Sequence, residues 1–201
     1  VALLCEPPRA SRPAMTSPVQ LIRPRRFGDA RGWFTETYNR DAFAAMGIDC
    51  AFVQDNHSLS VPAFTLRGLH FQTPPMGQDK LVRCIRGRIF DVAVDVRAGS
   101  PTYGEWVGAE LSAENGHQLF IPIGFAHGFV TLEPDCEVTY KCSGLYAPAH
   151  DGGIAWDSVG IDWPIPAGTT PELSEKDKVQ PRLADFDSPF DYDGRPLAPL
   201  A

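Results

Sequence analysis

Between residues 52 and 143 the chain reads as a train of short β-branched and apolar runs, 52–58, 64–72, 79–86, 88–97, 105–112, 117–121, 127–132 and 136–143, broken at short intervals by Gly, Pro, Asn and Ser. That many strands at such spacing predicts an all-β sandwich or barrel. The clearest run is Ile89 to Arg97, where Phe90, Val92, Val94 and Val96 share one face and Asp91, Ala93, Asp95 and Arg97 the other. Its polar face must look at water or into a polar cavity.

The flanks carry less structure. Val19 to Ile22 reads as a strand, Arg23 to Gly32 as a cationic turn, and Trp33 to Tyr38 as a further strand. Asn39 is placed to cap a short helix over 40–46, with Phe43 and Met46 on one face and Gly47 ending it. Leu145 to Pro171 is expected to wrap irregularly over the strands, and Leu173 to Lys178 to form a helical turn before a Pro-rich tail. Residues 1–17 are expected to be a disordered extension, with Met15 the natural start, and 18–201 a single domain without repeats.

A net charge of -7 disfavours broad nucleic-acid binding, which needs a basic face, so an anionic ligand must be held by a local Arg and Lys cluster. Five cysteines without a Cys-x-x-Cys pair indicate neither a disulfide framework nor a thiolate zinc site, and fit a reducing cytoplasm. No apolar run approaches membrane-spanning length.

Histidine titrates near neutrality and is the natural place to look for proton transfer. Of His57, His70, His117, His127 and His150, two sit against glycine within apolar strands: His70 in Leu66-Arg67-Gly68-Leu69-His70-Phe71-Gln72, and His127 in Ala126-His127-Gly128-Phe129. An imidazole so placed needs a hydrogen-bonded partner or a ligand. His117 and His150 read as ordinary histidines. Gly68 is expected to leave space beside His70 for a flat ligand, and simple alternation sends Arg67 to the face opposite His70. Asp91, Asp95 and Asp177 are the candidate carboxylates to orient the imidazoles, and their pairing is open. Tyr140 and Tyr146 flank a turn and are candidate donors or stacking surfaces. A metal reading is weak: Pro122-x-Gly124-x-x-His127 looks like half of a cupin metal signature, but the first half, His70-Phe71-Gln72, lacks its second histidine.

The chain resembles the dTDP-4-dehydrorhamnose 3,5-epimerases over nearly all of residues 18–182. Eight stretches carry the resemblance in the family's order: Asp29-Ala30-Arg31-Gly32-Trp33-Phe34-Thr35-Glu36, Gln54-Asp55-Asn56-His57-Ser58, Leu66 to Gln72, Phe90 to Arg97, Gly99-Ser100-Pro101-Thr102-Tyr103-Gly104, Gly124 to Phe129, Tyr140-Lys141-Cys142 and Leu173-Ser174-Glu175-Lys176-Asp177. The resemblance implies a cupin-type double-stranded β-helix, or jelly-roll barrel, with short peripheral helices. It implies His70 as general base paired with Asp177, Tyr140 as proton donor on the opposite sugar face, and Tyr146 as the ring that stacks on thymine. Arg31, Glu36, Gln54, Asp55, Asn56, Arg67, Lys80, His127 and Lys176 fall on substrate-binding positions, and Asp151 stands where the family more usually has glutamate. With Arg67 and His70 both used, either Gly68 carries a bulge or Arg67 reaches the site from outside.

The implied chemistry is proton abstraction beside a C4 ketone, with His70 as base, Lys80 stabilising the enolate and Tyr140 as acid, and no cofactor or metal. The implied substrate is a dTDP-linked 4-keto-6-deoxyhexose, and the implied assembly is a homodimer with exchanged N-terminal strands in which Arg31 to Glu36 completes a neighbour's site. Alternatives are an epimerase inverting one carbon, a metal-dependent cupin and a non-catalytic sugar-binding cupin.

Overall fold

Strand alternation and glycine breaks are realised as twelve strands and one α-helix in a computed structural model that describes residues 17–201. The expected extension over 1–17, apart from Ser17, lies outside the described residues, as do Cys5 and Met15. In chain order the elements are β1 (Gln20–Ile22), β2 (Arg26–Asp29), β3 (Gly32–Thr35), α1 (Arg40–Ala45), β4 (Gln54–Ser60), β5 (Leu66–Gln72), β6 (Lys80–Arg86), β7 (Arg88–Asp95), β8 (Trp106–Ser112), β9 (Gln118–Ile121), β10 (Phe125–Thr131), β11 (Cys136–Cys142) and β12 (Asp151–Gly153).

Two five-stranded antiparallel sheets, β1-β9-β6-β11-β4 and β12-β5-β10-β7-β8, form the jelly roll, and β2-β3 stands apart as a ribbon. Val82, Cys84, Leu119, Ile121 and Val138 of the first sheet meet Ile89, Ala93, Leu111, Phe125 and Phe129 of the second in the main core. The outer face of the second sheet carries Leu69, Phe71, Val92 and Val94, roofed by Ile154, Ile161 and Phe190. On the outer face of the first sheet, Leu81 and Phe120 are covered by Phe43 of α1 and by Ile48. The alternation in β7 therefore holds with an unexpected sense. Its wholly apolar face points away from the partner sheet, under the C-terminal third of the chain, and Asp91, Ala93 and Asp95 turn inward.

Several boundaries differ from expectation. The cationic turn over 23–32 contains strand β2, whose Arg26 guanidinium stacks on Trp33 at 4.2 Å across the ribbon, and the strand expected to reach Tyr38 ends at Thr35. Asn39 caps α1 as expected, accepting from the backbone of Asp41 and Ala42. Phe43 is buried but Met46, at the helix end, is 40% exposed and does not share its packing. The irregular stretch after Leu145 includes β12, which adds to the edge of β5, and the helical turn expected over 173–178 forms later, as a 3-10 turn over Asp177–Val179, followed by another over Leu183–Asp185.

One irregularity positions the site. His70 pairs with His127 and Arg67 with Phe129, so Gly68 and Leu69 together oppose Gly128 alone. This is a bulge, and the extra residue brings Arg67 to the same cavity as His70. Gly68, at φ +134°, leaves no space for a ligand, contrary to expectation: a Cβ there would lie 2.5 Å from the Gly128 Cα and 2.9 Å from the His127 carbonyl oxygen. The space it frees is filled by the neighbouring strand.

Candidate active site

His70 projects from β5 of the second sheet, and its Nε2 lies 2.5 Å from Asp177 Oδ1. Ser174 Oγ donates to the other carboxylate oxygen at 2.8 Å. Burial pushes Asp177 upward, but the hydrogen bond and charge of His70, with Ser174 and Lys176, outweigh it and hold the carboxyl below its ordinary range. An ionised Asp177 only accepts, so His70 Nε2 carries the proton, and Nδ1 is the ring nitrogen without a partner among the described residues.

Lys80 of β6 and Tyr140 of β11 come from the facing sheet. Lys80 is 9% exposed and, among the described residues, makes a single long hydrogen bond, Nζ to the His70 carbonyl at 3.4 Å. Burial lowers its pKa against the opposing pull of Cys142, Asp91 and Asp151. Burial raises the Tyr140 phenol, which therefore stays protonated. Two cavities, of about 450 and 360 Å³, share His70, Lys80 and Tyr140. The larger adds Arg67, His127, Ser174 and Asp177. The smaller adds Gln54, Asn56, Tyr146, Asp151 and Lys176.

The open pairing of the carboxylates is resolved. His127 Nε2 meets Asp91 Oδ1 at 2.8 Å. Asp95, an expected candidate, contacts no histidine; it is bound by Arg97, Ser100 and Thr102. Burial raises Asp91, partly offset by His127 and Lys80. Burial likewise lowers His127; Asp91 opposes this, and the charges of Lys80 and His70 add to it.

At the rim of the smaller cavity, Gln54 Oε1 accepts from the Tyr146 backbone at 2.8 Å and its amide donates to Asn56 Oδ1 at 3.0 Å. The exposed Tyr146 hydroxyl donates to Asp151 at 3.2 Å, and Asp151 is also paired with Lys176. The Arg67 guanidinium is aimed by Ser60 Oγ and the Leu59 carbonyl, each at 3.1 Å. Three expected residues are not brought in. Asp55, next to Asn56 on β4, points to the opposite face and pairs with Lys141 at 2.9 Å. Arg31 pairs with Asp29 at 2.5 Å on the β2-β3 ribbon, and Glu36 lies exposed just beyond β3; neither lines a cavity with His70.

Gln72, at the position where the metal signature wants histidine, is fully used by the backbone: it donates to the Met76 and Leu145 carbonyls and accepts from Ala147. Among the described residues no three His, Cys, Asp or Glu side chains converge as a metal site, and no helix is long and apolar enough to cross a membrane. Sequence reasoning missed Ser58, Thr65, Phe129 and Glu172 as lining residues and Ser174 as the second donor to Asp177. Only Ser174, three residues before the carboxylate it contacts, left a local signal.

The family profile for dTDP-4-dehydrorhamnose 3,5-epimerase matches residues 15–185. A dTDP-4-dehydrorhamnose 3,5-epimerase of Sinorhizobium fredii is 55% identical over 87% of this chain and 89% of its own. A crystal structure of the dTDP-6-deoxy-D-glucose-3,5-epimerase RmlC of Legionella pneumophila, in complex with dTDP-4-keto-L-rhamnose, superposes with a TM-score of 0.82 at 42% identity, covering 88% of this chain and 94% of that one. A dTDP-4-dehydrorhamnose 3-epimerase of Streptomyces niveus is 39% identical over 87% of this chain and 84% of its own. With the profile matched over most of its length and the cupin-like barrel shared, the chain belongs to the dTDP-4-dehydrorhamnose 3,5-epimerase family of isomerases.

Proposed function

We propose that the protein is a cofactor-independent epimerase that inverts C3 and C5 of dTDP-4-dehydro-6-deoxy-D-glucose, giving dTDP-4-dehydro-L-rhamnose for dTDP-L-rhamnose synthesis. The observation that carries this reading is the opposition of His70, backed by ionised Asp177, to Tyr140 on the facing sheet across one cavity that also holds Lys80. A flat ring between two sheets presents one face to each.

The C4 ketone acidifies the protons on C3 and C5. His70 Nδ1 takes such a proton, and Asp177 stabilises the imidazolium that forms; a positioned base of this kind contributes about 10²–10⁴ in rate. The Lys80 ammonium donates to the C4 oxygen as it gains charge. Burial loosens its proton, which makes it a stronger donor to the enolate. Tyr140, held protonated by burial, returns a proton from the other side.

Tyr146 offers its exposed ring to thymine, with Gln54 and Asn56 alongside, while Arg67 and Lys176 meet the diphosphate and His127 the sugar. Asp151 aims Lys176. Arg31 and Glu36 serve the neighbour's cavity in a homodimer with exchanged N-terminal strands, a reading supported by their lying outside both cavities that His70 lines and by the exposed Phe27, Trp33 and Phe34 on or beside the same ribbon. Dilution below the dimer constant should then cost activity.

The test is incubation with dTDP-4-dehydro-6-deoxy-D-glucose in deuterated water. Label at both C3 and C5, abolished by His70→Ala and indifferent to chelator, is the expected result. Label at one carbon only would assign the protein to the mono-epimerases, chelator-sensitive turnover to metal-dependent cupins, and no label would sink the epimerase reading.

A further inference from the structure

Two buried side-chain atoms lack a hydrogen-bond partner among the described residues, Ser58 Oγ and Asp91 Oδ2. Ser58 lines the larger cavity, and Asp91 sits behind His127. A carboxylate oxygen buried with no donor is costly, and native chains retain such groups for a reason other than packing.

Asp91 reaches the cavity only through its neighbours. It accepts from His127 Nε2 at 2.8 Å, which turns that proton into the barrel and leaves Nδ1 without a partner among the described residues, on a ring that lines the cavity. Lys80 lines the same cavity as that ring, and Asp91 and Lys80 each favour the charged form of the other. We propose that Asp91 is a positioning residue for epimerisation: through His127 it presents Nδ1 to a sugar hydroxyl as an acceptor, and its negative charge keeps the Lys80 ammonium protonated for the C4 oxygen. This rests on the epimerase reading for the substrate, on the Asp91–His127 hydrogen bond for the His127 tautomer, and on the unpaired Asp91 oxygen together with the mutual charge effect of Asp91 and Lys80 for the Lys80 charge.

The neighbours of Lys80 make Asp91 the natural counter-charge. Cys142 of β11, Asp151 of β12 and Lys176 also bear on it. His70 of β5, His127 of β10 and Tyr140 of β11 line the same cavity. Of the two carboxylates, Asp151 is already engaged by Lys176 and Tyr146, whereas Asp91 has an oxygen to spare. The charges of Lys80 and His70 join burial in disfavouring a second proton on His127, so its Nδ1 keeps a lone pair.

The experiment reads both halves without relying on turnover. Nitrogen NMR of the wild-type histidine rings at neutral pH should show His127 protonated at Nε2 and bare at Nδ1; a proton on Nδ1 would overturn the acceptor role, and this measurement stands even if no variant folds. Carbon NMR of Lys80 across pH, in wild type and Asp91→Asn, should show the titration midpoint falling by about one unit or more in the variant. An unchanged midpoint would overturn the counter-charge role. The alkaline limb of kcat against pH should move down with it in Asp91→Asn, with kcat falling more than KM rises, whereas a merely structural acid would lower Tm and leave the limb in place. Absence of exchange in the wild type would fail the epimerase reading while the two NMR measurements still decide the role of Asp91.

Discussion

Asp91 and Asp95 sit four residues apart on the same face of β7, roughly 13 Å along the strand, and both are 0% exposed. Their environments are opposite. Asp95 accepts from Arg97 through its backbone, Nε and Nη2, and from Ser100 and Thr102, all at 2.7–3.0 Å. Burial pushes it up, but these donors win and hold it below its ordinary value. Asp91 has one histidine and an empty oxygen, and burial wins there. The same side chain, on the same strand and equally buried, is a structural tie where the fold supplies donors and a held-back charge where it supplies only His127. On β7, full satisfaction goes with the structural end of the strand and partial satisfaction with the end that backs His127.

Arg97→Ala puts the most strain on this contrast. It strips the buried Asp95 of its main donors, and a loss of about 3–5 kcal/mol of stability is expected in urea denaturation, with activity per folded molecule retained. The pH dependence has a sign. A carboxyl lowered from 3.8 contributes stability that is complete above that value and is lost as pH falls through the lowered one. Wild type therefore weakens below the ordinary carboxylate range, with Asp177 and Asp193 adding to the effect, and Arg97→Ala has less of this dependence to lose.

Asp177→Asn should show the reverse balance. Removing the partner of His70 is expected to cost about 100-fold in kcat with a smaller change in Tm than Arg97→Ala produces. If Tm falls as far as it does for Arg97→Ala, Asp177 belongs with the structural acids.

For Asp91→Asn the expected stability at neutral pH is within about 1 kcal/mol of wild type, or above it. Here the sign is inverted: a carboxyl raised above 3.8 costs stability once ionised, so any gain in the variant fades as pH falls through the raised value and is gone below 3.8. Thermal melts on either side of that value check it. The smallest effect is expected from Asp193→Asn, whose half-exposed carboxylate, 40% accessible, meets Arg97 from outside; about 1 kcal/mol or less is expected.

Period-2 alternation made β5 and β7 legible, because both strands bury one face under each layer, and Asn39 with Gly47 marked α1 by its own capping chemistry. It did not reveal β2, because Arg25 and Arg26 look like a solvated turn until their guanidinium groups are seen stacked on Phe27 and Trp33. Alternation alone puts Arg67 on the wrong face, and the bulge at Gly68 enters as an alternative only through the resemblance, because a bulge adds one residue without leaving any mark in the strand's composition. The choice of Asp91 over Asp95 for His127 is carried by no local pattern: His127 pairs with Ala93, midway between the two carboxylates, and Asp95 is already taken by Arg97, Ser100 and Thr102. His70 with Asp177 and Tyr140 was reached through family resemblance, and their distances in sequence show why: the His70 to Asp177 contact spans 107 residues. Asp55 and Asn56 are adjacent on one strand, so alternation sends their side chains to opposite faces, and only Asn56 reaches a cavity lined by His70.

The central claim is that His70 and Tyr140 work on opposite faces of one sugar ring, and Tyr140→Phe tests it most directly. With the 4-keto sugar nucleotide in deuterated water, the account predicts that this variant still exchanges protons on the His70 side, returning labelled starting material with its configuration retained and inversion lost. Inversion at wild-type rate in Tyr140→Phe would contradict it.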